Sequence, residues 1–471
     1  MTSYDAVVVG SGPNGLAAAI TLAQAGRSVL VIEAQQQAGG GAQSAELTLP
    51  SFTHDLFSAV HPMALESDFF RALSLEQHGL EWIHSPNVLA HPFEGGDTLV
   101  LNRSVQTTAA ALGQDKNIYQ SFFEELLHDW SYFKSEFLRP LRFPSHPFRL
   151  AKFGCPALLP AKFLAKILFK EPRTRALFAG IAAHSALPLE AMASSAFGLT
   201  LALAGHHVGW PIPRGGARSI SQALLSHLRH LGGEVITGTP VHTLAQLPPA
   251  KTVFLDLTPR QIIALAEKEL GHSFSSRLRR YRYGPGVFKV DWALDGPIPW
   301  KAPEVASAAI VHLGCSLEEI ALSEGEVWQN RRADHPFVLL AQPSLFDSSR
   351  APAGKHTAWA YCHVPHGSTM DMTPRIEAQI ERFAPGFRDL ILARNVFNPA
   401  ELEKRNANLV GGDINGGAVN LTQLFLRPTA RLYSTSSSQI FICSSSTPPG
   451  GGVHGLCGYH AALEALRGTL N

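Results

Sequence analysis

The sequence predicts an α/β fold, and three features of its 471 residues support this prediction. A strand, a glycine loop, a helix and a second strand are predicted in succession over residues 5–33. A strand, a glycine loop and a helix are predicted again over residues 439–467, and strand-like segments lie between the two patterns. Since parallel strands need a crossover helix, we expect a domain assembled from distant segments, with other regions inserted into it.

The composition limits the classes of protein. Hydrophobic residues make up 45% of the chain and charged residues 16%, which is sufficient for a large core. The formal net charge is +1, so we expect no nucleic-acid partner. The five cysteines lie apart without a C-x-x-C pair, which favours reduced thiols, a cytoplasmic protein and no metal site. The first glycine loop begins close to residue 5, so we expect no signal or transit peptide.

The first glycine loop has the G-x-G-x-x-G spacing between a strand and a helix. Its predicted dinucleotide-binding residues are Gly10, Gly12, Pro13, Asn14 and Gly15. In such a loop the first glycine allows a tight turn, the second admits a pyrophosphate and the third lets the helix pack closely. Glu33 ends the second strand, where an acid accepts hydrogen bonds from a ribose diol and disfavours a 2′-phosphate. We therefore expect an NAD- or FAD-type adenosine.

Further motifs follow along the chain in the order of a known family. A glycine cluster occupies residues 39–41, an L-x-x-P-S-F-x-x-D segment residues 47–55, and a P-P-G-G-G-V-H-G segment residues 448–455. Together with the first glycine loop, they resemble the phytoene-desaturase-like flavoproteins. This branch of the amine-oxidase/FAD superfamily includes bacterial phytoene dehydrogenase-like and pyridine nucleotide-disulfide oxidoreductase domain 2-like proteins. The resemblance covers nearly the whole chain and implies a Rossmann-type, glutathione-reductase-like domain that binds FAD.

The resemblance also implies which further residues contact FAD. They are Gly40, Gly41, Ala42, Val241, Gly451, Gly452 and Val453. Three polar residues, His61, Asp413 and His454, are expected near the flavin, but no catalytic acid or base is assigned among them. For His61 two interpretations stay open, since it either faces the flavin or holds its own loop by hydrogen bonding.

The predicted organisation alternates cofactor-binding segments with inserted regions. Residues 1–115, 206–284 and 395–471 are assigned to the FAD-binding domain, residues 116–205 to a helical lid, and residues 285–394 to a substrate domain with an antiparallel sheet. Residues 134–175 have a net charge of +8 and interleave Lys and Arg with Phe and Leu. A lid helix resting on an anionic membrane and a solvated basic surface helix both fit this pattern.

These observations predict an FAD-dependent oxidoreductase. It would move a hydride between flavin N5 and a C–C bond of a small apolar substrate, such as a polyene, isoprenoid or lipid-like molecule. Two alternatives stay open: a flavin amine oxidase, and a flavin-bearing interaction or regulatory protein with little turnover. The protein is expected to be cytoplasmic, either free or peripherally bound to a membrane. The sequence does not predict the substrate, the direction of the reaction, the electron acceptor or the oligomeric state.

Overall fold

The computed structural model describes residues 3–140 and 142–471. The strands are β1 Tyr4–Val9, β2 Val29–Ile32, β3 Ser44–Glu46, β4 Thr53–Asp55, β5 Trp82–Ile83, β6 Asn87–Pro92, β7 Thr98–Leu101, β8 Ile212–Pro213, β9 Glu234–Ile236, β10 Ala250–Leu255, β11 Gly286–Leu294, β12 Ala308–Leu313, β13 Val338–Ala341, β14 His356–Val364, β15 Ile391–Phe397 and β16 Ile440–Ile442. The helices are α1 Pro13–Gln24, α2 Pro62–Glu66, α3 Asp68–Arg71, α4 Val105–Ala110, α5 Lys116–His128, α6 Trp130–Phe137, α7 Pro147–Leu158, α8 Ala161–Leu168, α9 Pro172–Ala182, α10 Ser194–His207, α11 Arg218–His230, α12 Pro259–Leu278, α13 Leu317–Trp328, α14 Thr373–Phe383, α15 Pro399–Arg405, α16 Leu421–Phe425 and α17 Leu456–Arg467.

The two predicted glycine-loop patterns meet in one parallel sheet of order β16-β10-β1-β2-β9. The strands are short apolar runs that are mostly buried, as strands covered on both faces require. Helices α1, α11 and α17 supply apolar side chains to the core that also holds Phe254 and Phe441 of the sheet. Gly458 of α17 lies directly against the backbone of Asn14, so only glycine lets this helix approach α1 so closely. The predicted assembly from distant segments is therefore confirmed.

A second sheet is mixed, with the order β15-β11-β14-β13-β12-β6-β7. Its neighbouring strands are antiparallel except for β12 and β6, which are parallel. The β6–β7 hairpin comes from residues 87–101, which the sequence assigned to the FAD-binding domain. Its long-range pairing with β12 was not predicted, since nothing in a hairpin sequence indicates which sheet it joins.

The helical region contains α5 to α10, as the helical spacing of residues 118–205 predicts. The basic segment within it is not one amphipathic helix. Helix α8 ends at Leu168 and α9 begins at Pro172, because a proline is tolerated in the first turn of a helix but not in its interior. In the part of the chain that the structure describes, no helix is both long and apolar enough to cross a membrane.

Candidate functional site

A cavity of about 1010 Å³ lies where the parallel sheet, the helical region and the mixed sheet meet. One part of its wall comes from the two glycine loops and the carboxyl ends of the parallel strands. The other part comes from apolar side chains of α7 and α10 and from the mixed sheet. Ligands of open α/β sheets bind at the carboxyl ends of the strands, so the first part is positioned for a dinucleotide.

The structure brings most of the predicted site residues together around this cavity. Gly10, Gly12, Pro13, Asn14, Glu33, Gly40, Gly41, His61, Val241, Gly451, Gly452, Val453 and His454 all line it. Gly15, Ala42 and Asp413 do not. Gly15 lies behind the loop, where its N–H donates to Asp256 (N–Oδ2 3.1 Å). The carbonyl of Ala42 accepts from Ser221 (2.8 Å), and the buried carboxylate of Asp413 accepts from the N–H groups of Gly284 and Asn415 (both 2.7 Å).

The first glycine loop is folded tightly around the side chain of Asp256. Gly10 has a φ of +103°, a conformation that favours glycine. A Cβ on Gly12 would lie 2.6 Å from Asp256 Oδ2, and a Cβ on Gly40 would lie 2.6 Å from the Cα of Gly12. These positions therefore form a close-packed cradle of bare backbone, in which free N–H groups of the helix α1 N-terminus can face an anion.

Glu33 is held in place by the first loop. Its Oε2 accepts from the backbone N–H and the hydroxyl of Ser11 (2.9 and 2.5 Å), and its Oε1 accepts from Gln35 N–H (2.9 Å). The carboxylate is thus fixed at the carboxyl end of β2, next to the cavity. This is the position from which an acid can accept hydrogen bonds from a ribose.

Asp256 is a functional residue that the sequence argument did not identify. It follows β10, is buried, and touches both Gly12 and Gly15 of the first glycine loop. Burial raises the pKa of its carboxyl to about 7, and the nearby Glu33 carboxylate acts in the same direction. A phosphate bound at this loop would add further negative charge and favour the protonated carboxyl.

The second glycine loop is organised around His454. Its Nδ1 accepts from Leu456 N–H at the start of α17 (3.0 Å), so the proton of the neutral ring is on Nε2. Its carbonyl accepts from the hydroxyl of Ser67 (2.7 Å). Burial lowers the pKa of His454 to about 4. Gly452 has a φ of +125°, and a Cβ there would lie 3.0 Å from the His454 ring.

Several buried polar atoms around the cavity have no hydrogen-bond partner among the described residues. They include Asn14 Oδ1, His61 Nε2 and Arg427 Nε. Arg427 was not predicted. One arm of its guanidinium donates to the carbonyls of Asn415, Gly416 and Ser445 at 3.0–3.1 Å. Buried polar groups are normally paired, so these are the atoms at which a polar ligand or a bound water would complete the hydrogen bonding.

His61 lines the cavity and its loop is fixed independently of its ring. Its backbone N–H donates to Pro211 (3.0 Å), its ring lies 6.0 Å from that of Trp82, and burial lowers its pKa to about 4. His61 thus lines the cavity, and its Nε2 is buried without a hydrogen-bond partner among the described residues. Both interpretations of His61 therefore stay predictions.

The mixed sheet has an unexpected row of cross-strand partners that includes three polar side chains. Lys289, Leu339 and Tyr361 of this row line the cavity, and His312 is hydrogen-bonded to His184, which also lines it. Lys289 of β11 pairs in register with Tyr361 of β14, Tyr361 pairs with Leu339 of β13, and Leu339 pairs with His312 of β12. Cross-strand partners lie on the same face of a sheet. The opposite face is apolar and packs on α14. Lys289 forms a buried ion pair with Asp291, two residues along the same strand.

That ion pair has a visible sequence signal. Lys289 and Asp291 interrupt an otherwise apolar strand at positions i and i+2, which share one face. Burial lowers the pKa of Lys289 and raises that of Asp291, while their mutual attraction opposes both shifts. The pair contributes no net charge to the cavity wall. Among residues 3–140 and 142–471, no group of three or more His, Cys, Asp or Glu is arranged to hold a metal ion.

Comparisons with known proteins agree with this geometry. Residues 8–72 match the family model of the NAD(P)-binding Rossmann-like domain. The chain is 26% identical to pyridine nucleotide-disulfide oxidoreductase domain-containing protein 2 of Mus musculus, over 99% of this chain and 94% of that protein. It is 25% identical to a phytoene dehydrogenase of Streptomyces griseus, over 87% of this chain and 80% of that protein. The resemblance predicted from the motifs is therefore confirmed.

Solved structures share the fold along nearly the whole chain. An oxidoreductase from Methanosarcina mazei superposes with a TM-score of 0.68 at 14% identity, over 99% of this chain and 100% of that one. Putrescine oxidase bound to putrescine superposes with a TM-score of 0.64 at 15% identity, over 99% of each chain. These structures confirm the predicted α/β architecture, with a Rossmann-type domain, a mixed sheet and a helical region.

Proposed function

From its homology with the phytoene-dehydrogenase-like oxidoreductases, we propose that this chain is an FAD-dependent oxidoreductase acting on an apolar substrate. The reaction would move a hydride between a C–C bond of a polyene, isoprenoid or lipid-like molecule and N5 of the flavin. The observation that supports this function most directly is that the cavity is continuous. It joins the bare-backbone cradle of two glycine loops to an apolar chamber.

The residues present fit FAD. Gly12 and Gly40 pack against each other without side chains and leave backbone at the cavity wall, where a pyrophosphate could bind. Glu33 is fixed where a ribose diol would lie, and Arg427 has an unpaired buried N–H. When bound, FAD supplies the hydride acceptor or donor. The Gly451–Val453 loop and Val241 line the same cavity, 210 residues apart in the chain. A nicotinamide-only site has no evident use for this second, distant glycine loop.

The chain's own residues would bind, orient and exclude water. His454 is neutral, with its Nδ1 occupied by Leu456, so it holds the second glycine loop on α17. Leu150 and Phe153 of α7 and Trp359 of β14 close the chamber with apolar surface. An apolar wall keeps water from the reacting carbon, and it binds an apolar substrate through burial of its surface.

The amine-oxidase alternative is favoured by the fold shared with putrescine oxidase. The chamber argues against it. Its wall includes Ile310, Leu339 and Trp359, and the Asp291 carboxylate beside it is already paired with Lys289. A cationic amine would therefore lose its hydration without gaining a free carboxylate from this ion pair.

We further propose that an anionic membrane delivers the substrate. Helix α7 lies between the chamber and the surface: Phe153 and Ala157 line the cavity, while Phe148 is 90% exposed. Phe143, just before this helix, is 87% exposed, and the surrounding residues 134–175 have a net charge of +8. An apolar substrate could then pass from the bilayer to the chamber along one short helix.

Purification of the protein and analysis of its released cofactor test the proposed function. We expect non-covalent FAD, released intact on denaturation and identified by mass spectrometry. Anaerobic mixing with apolar isoprenoids should bleach the flavin absorbance, whereas putrescine and cyclohexylamine should leave it unchanged. Recovery of NAD alone, or of no flavin after growth with ample riboflavin, would refute the cofactor assignment. Bleaching by the amines alone would establish the amine-oxidase alternative.

A further inference from the structure

We propose that Tyr361 and His184 provide a neutral hydrogen-bonding anchor in the chamber, at which either side chain holds an alcohol or carbonyl oxygen of an otherwise apolar substrate. This inference rests on the proposed function, because it concerns the substrate of the same chamber. It narrows the substrate class from apolar molecules in general to apolar molecules that contain a neutral polar group.

Tyr361 contributes the first hydrogen-bonding group. It is half-buried, lines the cavity and stacks on Trp359 with the ring centroids 6.0 Å apart. Its hydroxyl has no hydrogen-bond partner in the described part of the chain. Its neighbour Leu339 across the sheet is apolar, so the hydroxyl is a polar group within an apolar wall. A hydroxyl in such a place gains its hydrogen bond from a ligand.

His184 contributes the second group. It lines the cavity between α9 and α10, and its Nε2 is hydrogen-bonded to Nε2 of His312 (2.9 Å). This bond leaves Nδ1 of His184 for a ligand. Nδ1 of His312 is buried and has no partner among the described residues. A neutral His312 carries its proton on one ring nitrogen, and a proton on Nδ1 would be a buried N–H without an acceptor. Such an N–H is rarer than an unpaired acceptor, so we assign the shared proton to His312 Nε2.

That assignment determines whether His184 Nδ1 is a hydrogen-bond donor or an acceptor. If His312 donates through Nε2, the neutral His184 ring has its own proton on Nδ1 and is a hydrogen-bond donor. The phenol of Tyr361 can both donate and accept. A hydroxyl or carbonyl oxygen in the chamber can therefore accept a hydrogen bond from either side chain. Trp210 packs against both imidazoles, with centroids 5.4 and 6.0 Å away, and keeps the pair in place.

The anchor is electrically neutral, which selects the kind of oxygen. Burial lowers the pKa of His184 to about 3 and raises the pKa of Tyr361, so neither is charged at neutral pH. Lys289, which lines the same wall, is neutralised by Asp291. A carboxylate would therefore lose its hydration without meeting an unpaired cation in this row, whereas an alcohol or carbonyl would not face that cost.

The test measures binding without turnover. Farnesol and the hydrocarbon with hydrogen in place of its hydroxyl are isotope-labelled, solubilised in cyclodextrin and dialysed against the oxidised holoenzyme. We expect farnesol to bind about tenfold more tightly, the magnitude of one or two buried hydrogen bonds. Tyr361→Phe should reduce this preference to about threefold or less. The double variant His184→Leu/His312→Leu removes both rings together, so neither histidine is left buried without its partner. It should also reduce the preference for farnesol.

Thr200→Val is the matched control, since it removes a different hydroxyl from the wall of the same cavity. It should leave the farnesol preference unchanged. Equal binding of the two ligands to the wild-type protein would overturn the proposal, as would a preference that survives in both Tyr361→Phe and the double histidine variant. Because binding is measured directly, the anchor is tested independently of the redox reaction. Failure of every isoprenoid to bleach the flavin would count against the proposed function and leave the anchor standing.

Discussion

Arg350 and Asp55 form a fully buried ion pair that joins the mixed-sheet region to the cofactor-binding region. Nη1 of Arg350 lies 3.0 Å from Oδ2 of Asp55, 295 residues earlier, and neither side chain has any exposed surface. Asp55 also accepts from the Ala217 N–H (2.7 Å) and the Ser44 hydroxyl (2.8 Å). Burial alone would raise the pKa of Asp55, but Arg350 and these donors bring it below its ordinary value.

The first prediction concerns this pair. Arg350→Met should destabilise the protein by about 3–5 kcal/mol, because it leaves the Asp55 carboxylate buried without its cation and Asp347 with only the more distant Arg214 (3.9 Å). Urea denaturation followed by circular dichroism measures the change. Arg350→Lys should fall between the wild type and Arg350→Met, since it keeps the charge but not the forked geometry.

A surface pair provides the control. Arg375→Met removes an ion pair with the exposed Asp334 and should cost less than about 1 kcal/mol. A loss of similar size for Arg350→Met would contradict the role assigned to the buried pair.

The second prediction uses the raised pKa of Asp256. A dinucleotide phosphate beside this carboxyl favours its protonated form, so binding takes up a proton above the native pKa of about 7. FAD affinity of the apoprotein should therefore fall by up to about tenfold per pH unit as the pH rises from 7 to 9. Isothermal titration across this range measures it. In Asp256→Asn, which keeps an acceptor for Gly15 N–H, the pH dependence should disappear.

The same group affects the stability of the apoprotein. The native pKa of about 7 lies above the unfolded value of about 3.9, so the native state binds the extra proton between these values. The stability contributed by this group is fully present below about pH 4 and is lost as the pH rises to 7. Relative to Asp256→Asn, the melting temperature of the wild-type apoprotein should fall from pH 5 to pH 8. A constant difference would contradict the raised pKa.

The third prediction concerns Gly452. Valine at this position would adopt an unfavourable φ and press its Cβ on the His454 ring. Gly452→Val should therefore be colourless or unstable when purified, as judged from flavin absorbance and melting temperature. A yellow, active Gly452→Val protein would show that the second glycine loop does not bind the cofactor.

The fourth prediction concerns His454 and distinguishes a role in binding FAD from a role in the chemical step. His454→Ala should keep its FAD and lose about tenfold or less in the rate of flavin reduction, because its ring supports the loop and Nδ1 is already occupied. His454→Asn, whose side-chain oxygen can accept from Leu456 N–H, should recover most of that loss. A thousandfold loss in the rate of flavin reduction with FAD fully bound would instead make His454 the catalytic acid–base.

The sequence predicted the features that depend on residues close together in the chain. The strand, the loop of Gly10 to Gly15 and the helix are contiguous, so the βαβ unit and its ligand class could be inferred from residues 4–33 alone. Asp256 and Arg427 could not be inferred, because they reach the cavity only through strand order and loop packing over hundreds of residues. The row from Lys289 to His312 depends in the same way on the register of four strands.

The fifth prediction concerns membrane docking through α7 and the residues just before it. Many basic side chains of residues 134–175 are paired, for example Lys162 with Glu190 and Lys166 with Glu318. These pairs reduce the local positive charge, so apolar insertion of Phe143 and Phe148 should provide much of the binding. We expect the protein to sediment with anionic vesicles and less with neutral ones, more strongly at low salt than at high salt.

The double variant Phe143→Ser/Phe148→Ser should weaken this vesicle binding by about tenfold or more, since each inserted aromatic ring contributes more than 1 kcal/mol. The matched control is Ile236→Ser/Leu392→Ser, which removes two apolar side chains, each 46% exposed, from edge strands β9 and β15. It should bind vesicles as the wild type does. Equal sedimentation with anionic and neutral vesicles, or none with either, would mean that the basic segment is only a solvated surface. Substrate would then reach the chamber without a bilayer.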